Sequence, residues 1–175
     1  MNFKTFLTEM FNDNAYITKI KINNRNRIIF DIYTDNVQNY RMSFVRVKYN
    51  EDKLYIAKFG YAGPNNEVLE ITDEFYDIYR VIATIQEIFI GLYINMNSRK
   101  IDIDNIIYEF GETDKKSYKL LINAIFKNDL SVYYNLIDVE NDIKDFGSRR
   151  FLVIHNNKSI NVIYDKQYYY NALNK

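Results

Sequence analysis

The sequence has no cysteine and no tryptophan, and it contains one proline, one histidine and only five glycines. Without cysteine, the chain cannot form disulfide bonds, thiolate zinc sites or cysteine nucleophiles. The glycines stand singly, at Gly60, Gly63, Gly91, Gly111 and Gly147. Isolated glycines make neither a Walker nor a Rossmann motif, so no phosphate-binding loop is predicted.

Catalytic and metal-binding side chains are equally scarce. The single histidine, His155, falls in a predicted strand, and no serine lies in a Gly-x-Ser-x-Gly motif, so no catalytic triad is predicted. Two acidic groups stand close together in sequence: Asp102 with Asp104, and Asp138 with Glu140 and Asp142. Neither group has the glycine and terminal glutamate of a calcium loop. We therefore predict no catalytic residue, no metal site and no cofactor.

The charges balance, with 23 basic and 23 acidic residues. A general nucleic-acid binder carries a basic excess, and a DNA mimic carries an acidic excess. The balanced charge therefore predicts neither function. Asp77, Arg80 and Glu87 interrupt the most apolar window, so no membrane span is predicted. The N-terminus also lacks the pattern of a secretory signal. We expect a cytoplasmic protein, or one found in the host cytoplasm or the virion if a phage encodes it.

Apolar and aromatic residues are plentiful: 47% of the chain is hydrophobic, with 17 tyrosines and 12 phenylalanines. The abundant Asn, Ile, Lys, Tyr and Phe are all encoded by AT-rich codons. An AT-rich phage or bacterial genome explains this composition. Selection for a tyrosine-rich binding surface would explain it as well.

The hydrophobic pattern of the first third predicts a helix followed by strands, within a single domain that spans residues 1–175. A helical stripe predicts an N-terminal helix over 1–12, which packs on the domain or docks on a partner subunit. Alternation over 15–61 predicts an antiparallel meander, and Ala62–Asn66 is a loop. The alternation changes phase near Phe44, which indicates a bulge or a strand buried on both faces.

The region 67–127 is predicted to form the centre of the fold. Apolar residues at three- and four-residue steps predict a helix over Tyr79–Asn95, with Thr72 as its N-cap. A strand (Asn105–Phe110) and an amphipathic helix (Asp114–Lys127) follow. The first helix has more apolar surface than one sheet face can cover, so we expect a second partner for it. Residues 131–175 are predicted to form the C-terminal strands and tail.

These patterns predict an α+β domain. Its antiparallel sheet has about five to seven strands, with two central helices packed on one face and a short N-terminal helix. Basic and aromatic residues alternate at Tyr40-Arg41, Arg46–Tyr49 and Lys58-Phe59, a pattern that could stack single-stranded bases. Antiparallel sheets routinely expose one polar face, however, so nucleic acid is not the expected partner.

Three segments carry a resemblance to a known group of proteins. They are Arg-Val-Ile-Ala-Thr-Ile (80–85), Ile-Ile-Tyr-Glu-Phe (106–110) and Lys-Ser-Tyr-Lys-Leu-Leu (116–121). In this order they resemble a group of uncharacterised small proteins of tailed phages and gut-type bacteria, although a lysine replaces the arginine expected in the third. The resemblance covers residues 28–155. It implies a meander, a helix, a strand, a charged helix and a last strand, together with a phage or mobile-element origin.

The order strand, helix, strand, helix, strand also resembles acetyltransferases of the GNAT type. That resemblance implies a glycine-containing loop at a helix start, which binds the cofactor pyrophosphate. The corresponding residues here, Asp77–Arg80, contain no glycine. A degenerate acyltransferase-like enzyme is therefore one alternative function.

The expected function is contact with other proteins. We expect a non-catalytic phage-type protein, foremost a virion structural or assembly component, with a host-takeover or anti-defence inhibitor of a host protein as the alternative. The partner would be another protein or a second copy of the chain, not nucleic acid or a membrane. The candidate interface residues are Phe3, Phe6, Met10, Ile88, Phe89, Leu92, Tyr168, Tyr169 and Tyr170.

Overall fold

The computed structural model describes residues 15–49, 52–71, 75, 77–99, 105–110, 129–138 and 150–156. These residues form an α+β fold, as predicted. The strands are β1 (Ile17–Asn23), β2 (Arg27–Tyr33), β3 (Tyr40–Tyr49), β4 (Asp52–Ala62), β5 (Val68–Leu69), β6 (Asn105–Phe110), β7 (Tyr134–Asp138) and β8 (Arg150–Asn156). One α-helix, α1 (Ile78–Arg99), lies within the described residues.

The strands form one sheet in the order β1-β2-β3-β4-β6-β8-β7, and β5 pairs with the end of β4. Most neighbours are antiparallel, but β4 and β6 run parallel, with Leu54 opposite Asn105 and Ala57 opposite Tyr108. The predicted antiparallel sheet is therefore observed with this one pair as an exception. The reason is α1, which carries the chain back along the sheet so that β6 starts at the same end as β4.

Several predicted elements can be compared directly with the structure. The strand Asn105–Phe110 has the predicted bounds. Further along the chain, Asp129–Val132 forms a 3₁₀ turn, and β7 therefore starts only at Tyr134. The N-terminal helix and the helix Asp114–Lys127 lie outside the described residues.

The core lies between the sheet and α1. Alternate residues of β2, β3 and β4 face the helix, because directly opposed residues of antiparallel strands share a face. Phe30, Phe44 and Phe89 are buried there, and the Phe44 ring meets the Phe89 ring edge-on at 5.8 Å between centroids. Burying each such side chain stabilises the fold by about 1.5–3 kcal/mol.

Strand β3 is buried on both faces along its first half. Tyr40, Arg41, Met42, Ser43 and Phe44 are all buried, and the pairing with β2 and β4 runs without a break. Of the two explanations for the phase change, double-sided burial is therefore the one observed. The bulge in this part of the sheet lies in β1, between Ile20 and Ile22.

The turn after β4 folds over the sheet and is fixed there by Arg41. The Arg41 guanidinium donates to the carbonyls of Gly63 (2.8 Å) and Glu67 (2.9 Å), and its Nε donates to Asp31 at 2.6 Å. A Cβ at Gly60 would lie 2.0 Å from the Leu69 carbonyl oxygen, so only glycine permits this approach.

Part of the second partner expected for α1 lies in the 3₁₀ turn and the two residues after it. Tyr134 donates its hydroxyl to the Phe89 carbonyl (2.8 Å), and its ring meets the Phe89 ring edge-on at 5.6 Å. Tyr93 packs on Tyr133 with centroids 4.8 Å apart. The C-terminal half of α1 is thus held by tyrosines as well as by the sheet.

The chain before β1 is tied to α1 by a buried hydrogen bond across 68 residues. The Tyr16 N–H donates to Thr84 Oγ1 at 2.9 Å, and that hydroxyl donates to the Arg80 carbonyl at 2.6 Å. Thr84 is fully buried, so no water can replace it as acceptor.

Replacing Thr84 by valine should reduce the free energy of unfolding by about 1–3 kcal/mol, because the Tyr16 N–H loses its acceptor while it stays buried. Urea denaturation measures the change. Thr18→Val, on the half-buried face of β1, is the matched control. Equal stability of the two variants would contradict the assignment.

Candidate protein interface

The start of α1 is capped by Asp77. Its Oδ1 accepts the Arg80 N–H (3.1 Å), and its carbonyl accepts the Val81 N–H (3.1 Å). The prediction of Thr72 as N-cap was wrong, because the helix begins at Ile78, immediately after this aspartate. Aspartate suits the position, since it pairs with a free N–H and with the positive end of the helix dipole.

This cap also bears on the acetyltransferase resemblance. The crossover from β4 through α1 to the parallel strand β6 agrees with that resemblance in outline. The Asp77 carboxylate, however, occupies the helix start, where a pyrophosphate would need free N–H groups and positive charge. The start of α1 is therefore poorly suited to an anionic cofactor.

Arg80 ties the start of α1 to two other parts of the chain. Its guanidinium pairs with the Asp35 carboxylate and lies over the Tyr16 ring, 4.1 Å from the centroid. Asp35 belongs to the loop between β2 and β3, which Thr34 closes by donating to the Gln38 carbonyl at 2.8 Å. The loop, the helix start and the entry to β1 are therefore held together at one end of the sheet.

Five large apolar side chains are exposed at this end. Ile17 lies opposite Tyr33, where β1 begins and β2 ends. Val37 is in the loop that Asp35 anchors, and Ile78 and Tyr79 precede Arg80 in the first turn of α1. Their exposure ranges from 41% for Tyr33 to complete for Val37, with 81% for Tyr79. Ile17 and Tyr33 lie on the sheet face that points away from α1, because Phe30 and Ile32 of β2 and Ile20 of β1 occupy the face toward it. We call the other three residues, Val37, Ile78 and Tyr79, the helix-start surface.

The helix-start surface is comparable to the largest apolar patch of a typical monomer. Its three side chains present on the order of 400 Å² to solvent, given the areas of Ile, Val and Tyr. Monomeric proteins rarely expose apolar patches larger than this, and those that do generally use them for binding. Among the side chains whose exposure the structure describes, the other exposed large apolar ones are Ile17, Tyr33, Val45, Leu69 and Val132.

A cluster of aromatic rings lies beneath this end of the sheet. Tyr40 stacks on Tyr61 with centroids 5.4 Å apart, and Phe75 packs against both Tyr40 and Phe59. Burial, with smaller effects of Tyr61 and Tyr16, raises the pKa of Tyr40 to about 12. The Tyr40 hydroxyl is therefore protonated at neutral pH, and the ring cluster forms part of the apolar core.

The alternation of basic and aromatic residues has a different explanation from nucleic-acid binding. Tyr40, Phe44 and Phe59 face α1 and are buried, while Arg41 is buried on the opposite face beneath the turn after β4. Bases cannot stack on rings that the protein itself covers. The alternation therefore reflects the two faces of the strands.

The interface residues expected from sequence fall into two groups. Ile88, Phe89 and Leu92 are buried in the core, so they are not on the surface of this chain. The others, namely Phe3, Phe6, Met10, Tyr168, Tyr169 and Tyr170, lie outside the described residues. Sequence reasoning missed the helix-start surface, because nothing in the local pattern shows that Asp35 pairs with Arg80.

The residues considered for metal binding or catalysis form no site within the described ranges. No three His, Asp or Glu side chains come together there as potential ligands. His155 lies in β8 between Asn105 of β6 and Asn135 of β7. Asp138 ends β7, and the other acidic candidates are not described. No helix of the described residues is long and apolar enough to cross a membrane.

Comparison with known proteins adds no family to this picture. No family model, curated protein or solved structure matches the chain. The candidate interface therefore depends on the contacts and exposures of this chain alone. The resemblances to phage proteins and to acetyltransferases stay predictions.

One carboxyl group on α1 lies in an unfavourable environment. Burial raises the pKa of Glu87 from its ordinary 4.5 to about 7. Ionising a half-buried carboxyl group costs free energy, because the folded state solvates the charge less well than the unfolded state does. The folded protein therefore binds this proton more tightly than the unfolded chain.

The sign of the pH effect follows from the raised pKa. The free-energy cost of ionising Glu87 in the folded protein is absent below pH 4.5. It grows as the pH rises to about 7 and is constant above that. Glu87→Gln should therefore gain stability over the wild type across this interval, by about 1 kcal/mol after allowance for partial exposure. Urea denaturation between pH 4 and pH 8 measures it. Glu67→Gln, at an exposed side chain, is the control, and a difference independent of pH would contradict the prediction.

Proposed function

We propose that this protein is non-catalytic and acts by binding another protein through the helix-start surface. The observation that carries the proposal is the exposure of Val37, Ile78 and Tyr79, on a loop and a helix start that the contact of Asp35 with Arg80 brings together. The largest exposed apolar patch of a protein is often a binding site.

The surface has the properties of a preorganised binding site. The Asp77 cap and the loop that Thr34 closes order its backbone, and the exposed Arg80–Asp35 pair adds a weaker contact between them. Binding then loses little conformational entropy, which favours affinity. Tyr79 is the natural anchor, because a large exposed ring contributes strongly to interfaces.

The more specific part of the proposal is a role as a virion structural or assembly component. It is supported by the AT-rich type of composition, the resemblance of residues 80–85, 106–110 and 116–121 to small phage proteins, and the zero net charge. Assembly proteins work through lasting contacts with other subunits, and an exposed apolar surface suits such contacts.

A photo-crosslinker tests the surface directly. With p-benzoylphenylalanine in place of Tyr79, irradiation of the cells in which the protein works should give a covalent adduct heavier than the 21.1 kDa chain. The matched control carries the same group in place of Val132, which is also exposed, at 67%, but lies in the 3₁₀ turn. No adduct at position 79, or equal adducts at both positions, would count against the surface.

Purified phage particles test the proposed role as a virion or assembly component. A virion component should be found in particles at a fixed number of copies, and quantitative mass spectrometry measures that number. An assembly component that leaves before maturation should be found in immature particles only. If the protein occurs in infected cells but in no particle, the virion and assembly role fails and an inhibitor of a host protein becomes the better explanation.

A further inference from the structure

We propose that the edge of the sheet at β1 binds an extended acidic segment of a partner protein, which joins the sheet as a further antiparallel strand. This inference goes beyond the proposed function, because it assigns a second binding surface. In strand addition of this kind, main-chain hydrogen bonds give affinity and alternate side chains of the added segment give specificity.

The direction of the backbone groups in β1 follows from the pairing of β2. The Arg46 N–H of β3 donates to the carbonyl of Asn26, just before β2, at 2.8 Å. Because backbone groups alternate in direction along a strand, the even-numbered residues of β2 bond to β3 and the odd-numbered ones bond to β1. Asp31 is odd-numbered, so it bonds to the residue opposite it in β1, which is Lys19.

Two residues of β1 therefore direct their backbone groups outward. Thr18 and Ile20 alternate with Lys19, so their N–H and C=O groups point away from β2, and within the described residues no strand lies on that side. The Tyr16 N–H is already bonded to α1. The stretch that can accept a further strand thus begins after Tyr16 and extends to the bulge between Ile20 and Ile22.

The exposed side chains along this stretch are first apolar and then basic. Ile17 is 73% exposed, and Tyr33 lies opposite it on the face that points away from α1. Lys19 is exposed on the same face, two residues further on. Lys21 also reaches this face, because its Nζ is 3.6 Å from Asp31 Oδ2. An added strand would place alternate side chains beside the apolar pair and then beside the lysines.

The charge of this edge favours an acidic segment. On the face away from α1, β1 and β2 carry three basic side chains, Lys19, Lys21 and Arg27. Their one acidic side chain there, Asp31, is already bonded to Arg41 Nε at 2.6 Å. Opposite charges directly across two strands stabilise the pairing, and like charges destabilise it.

The same rule excludes the β1 strand of a second copy, because it would bring lysines to lysines. The segment that fits has an acidic residue opposite Lys19 and, two residues later, an apolar residue opposite Ile17. The residue opposite Lys19 would belong to a pair without mutual hydrogen bonds, in which side chains approach most closely.

Fluorescence anisotropy with two labelled peptides and the full chain tests the edge. The acidic probe is Thr-Glu-Thr-Glu-Thr-Val-Thr, and the basic probe has lysine in place of both glutamates. The wild type should bind the acidic probe with a dissociation constant of roughly 10 µM to 1 mM, as expected for a small interface, and the basic probe about tenfold more weakly. Lys19→Glu should reverse this preference.

A proline substitution tests the hydrogen bonds of the added strand. Thr18→Pro removes an outward N–H without removing a bond between β1 and β2, so it should weaken binding of the acidic probe at least tenfold. Thr18→Val keeps the N–H and is the matched control, which should bind as the wild type does. Circular dichroism verifies that the variants are folded, and the reversal by Lys19→Glu decides the inference if the proline variant is not.

Each result decides the inference. A wild type that binds neither probe, or binds both equally, overturns it. So does a folded Thr18→Pro variant that binds the acidic probe as tightly as Thr18→Val does, or a Lys19→Glu variant that keeps the wild-type preference. The proposed function is tested separately by crosslinking at position 79, so failure at the β1 edge leaves the helix-start surface unaffected.

Discussion

The packing of Phe89 is the interaction on which the rest of the fold depends. This side chain is completely buried, and it meets Phe44 of the sheet on one side and Tyr134 on the other, at 5.8 and 5.6 Å between ring centroids. Tyr134 also binds the Phe89 carbonyl. One position of α1 therefore joins the meander to the C-terminal part of the sheet, and its loss would leave a large cavity between them.

Because Phe89 holds the middle of α1 in this way, it also determines where the first turn of the helix lies. The helix start is then fastened by Thr84 to Tyr16 and by Arg80 to Asp35. All the polar groups of the first turn that these contacts use are satisfied internally. The Asp35 side chain of this ion pair is itself 75% exposed. Beside it, Val37, Ile78 and Tyr79 are the large apolar side chains that face solvent.

The parts of the fold that local patterns determine could be predicted, and the parts that distant contacts determine could not. Alternation located β3 and β6, and the three- and four-residue steps located α1. The parallel pairing of β4 with β6 was missed, because a strand's own pattern does not specify its neighbour. The apolar excess of α1 was interpreted as an interface at Ile88, Phe89 and Leu92, yet those side chains are buried in the core. The loop that carries Val37 lies near the helix start, as the contact of Asp35 with Arg80 shows, and no local pattern specifies that contact.

The parallel pairing of β4 with β6 has a consequence for synthesis on the ribosome. The hairpins from β1 to β4 involve only short loops, so they can form as soon as they emerge. Their aromatic face, with Phe44 and Phe59, stays uncovered until α1 has been made, and β4 lacks its second long neighbour until β6 follows. Between residues 62 and 110 the nascent chain therefore exposes aromatic surface that the folded protein buries, and exposed surface of this kind favours aggregation.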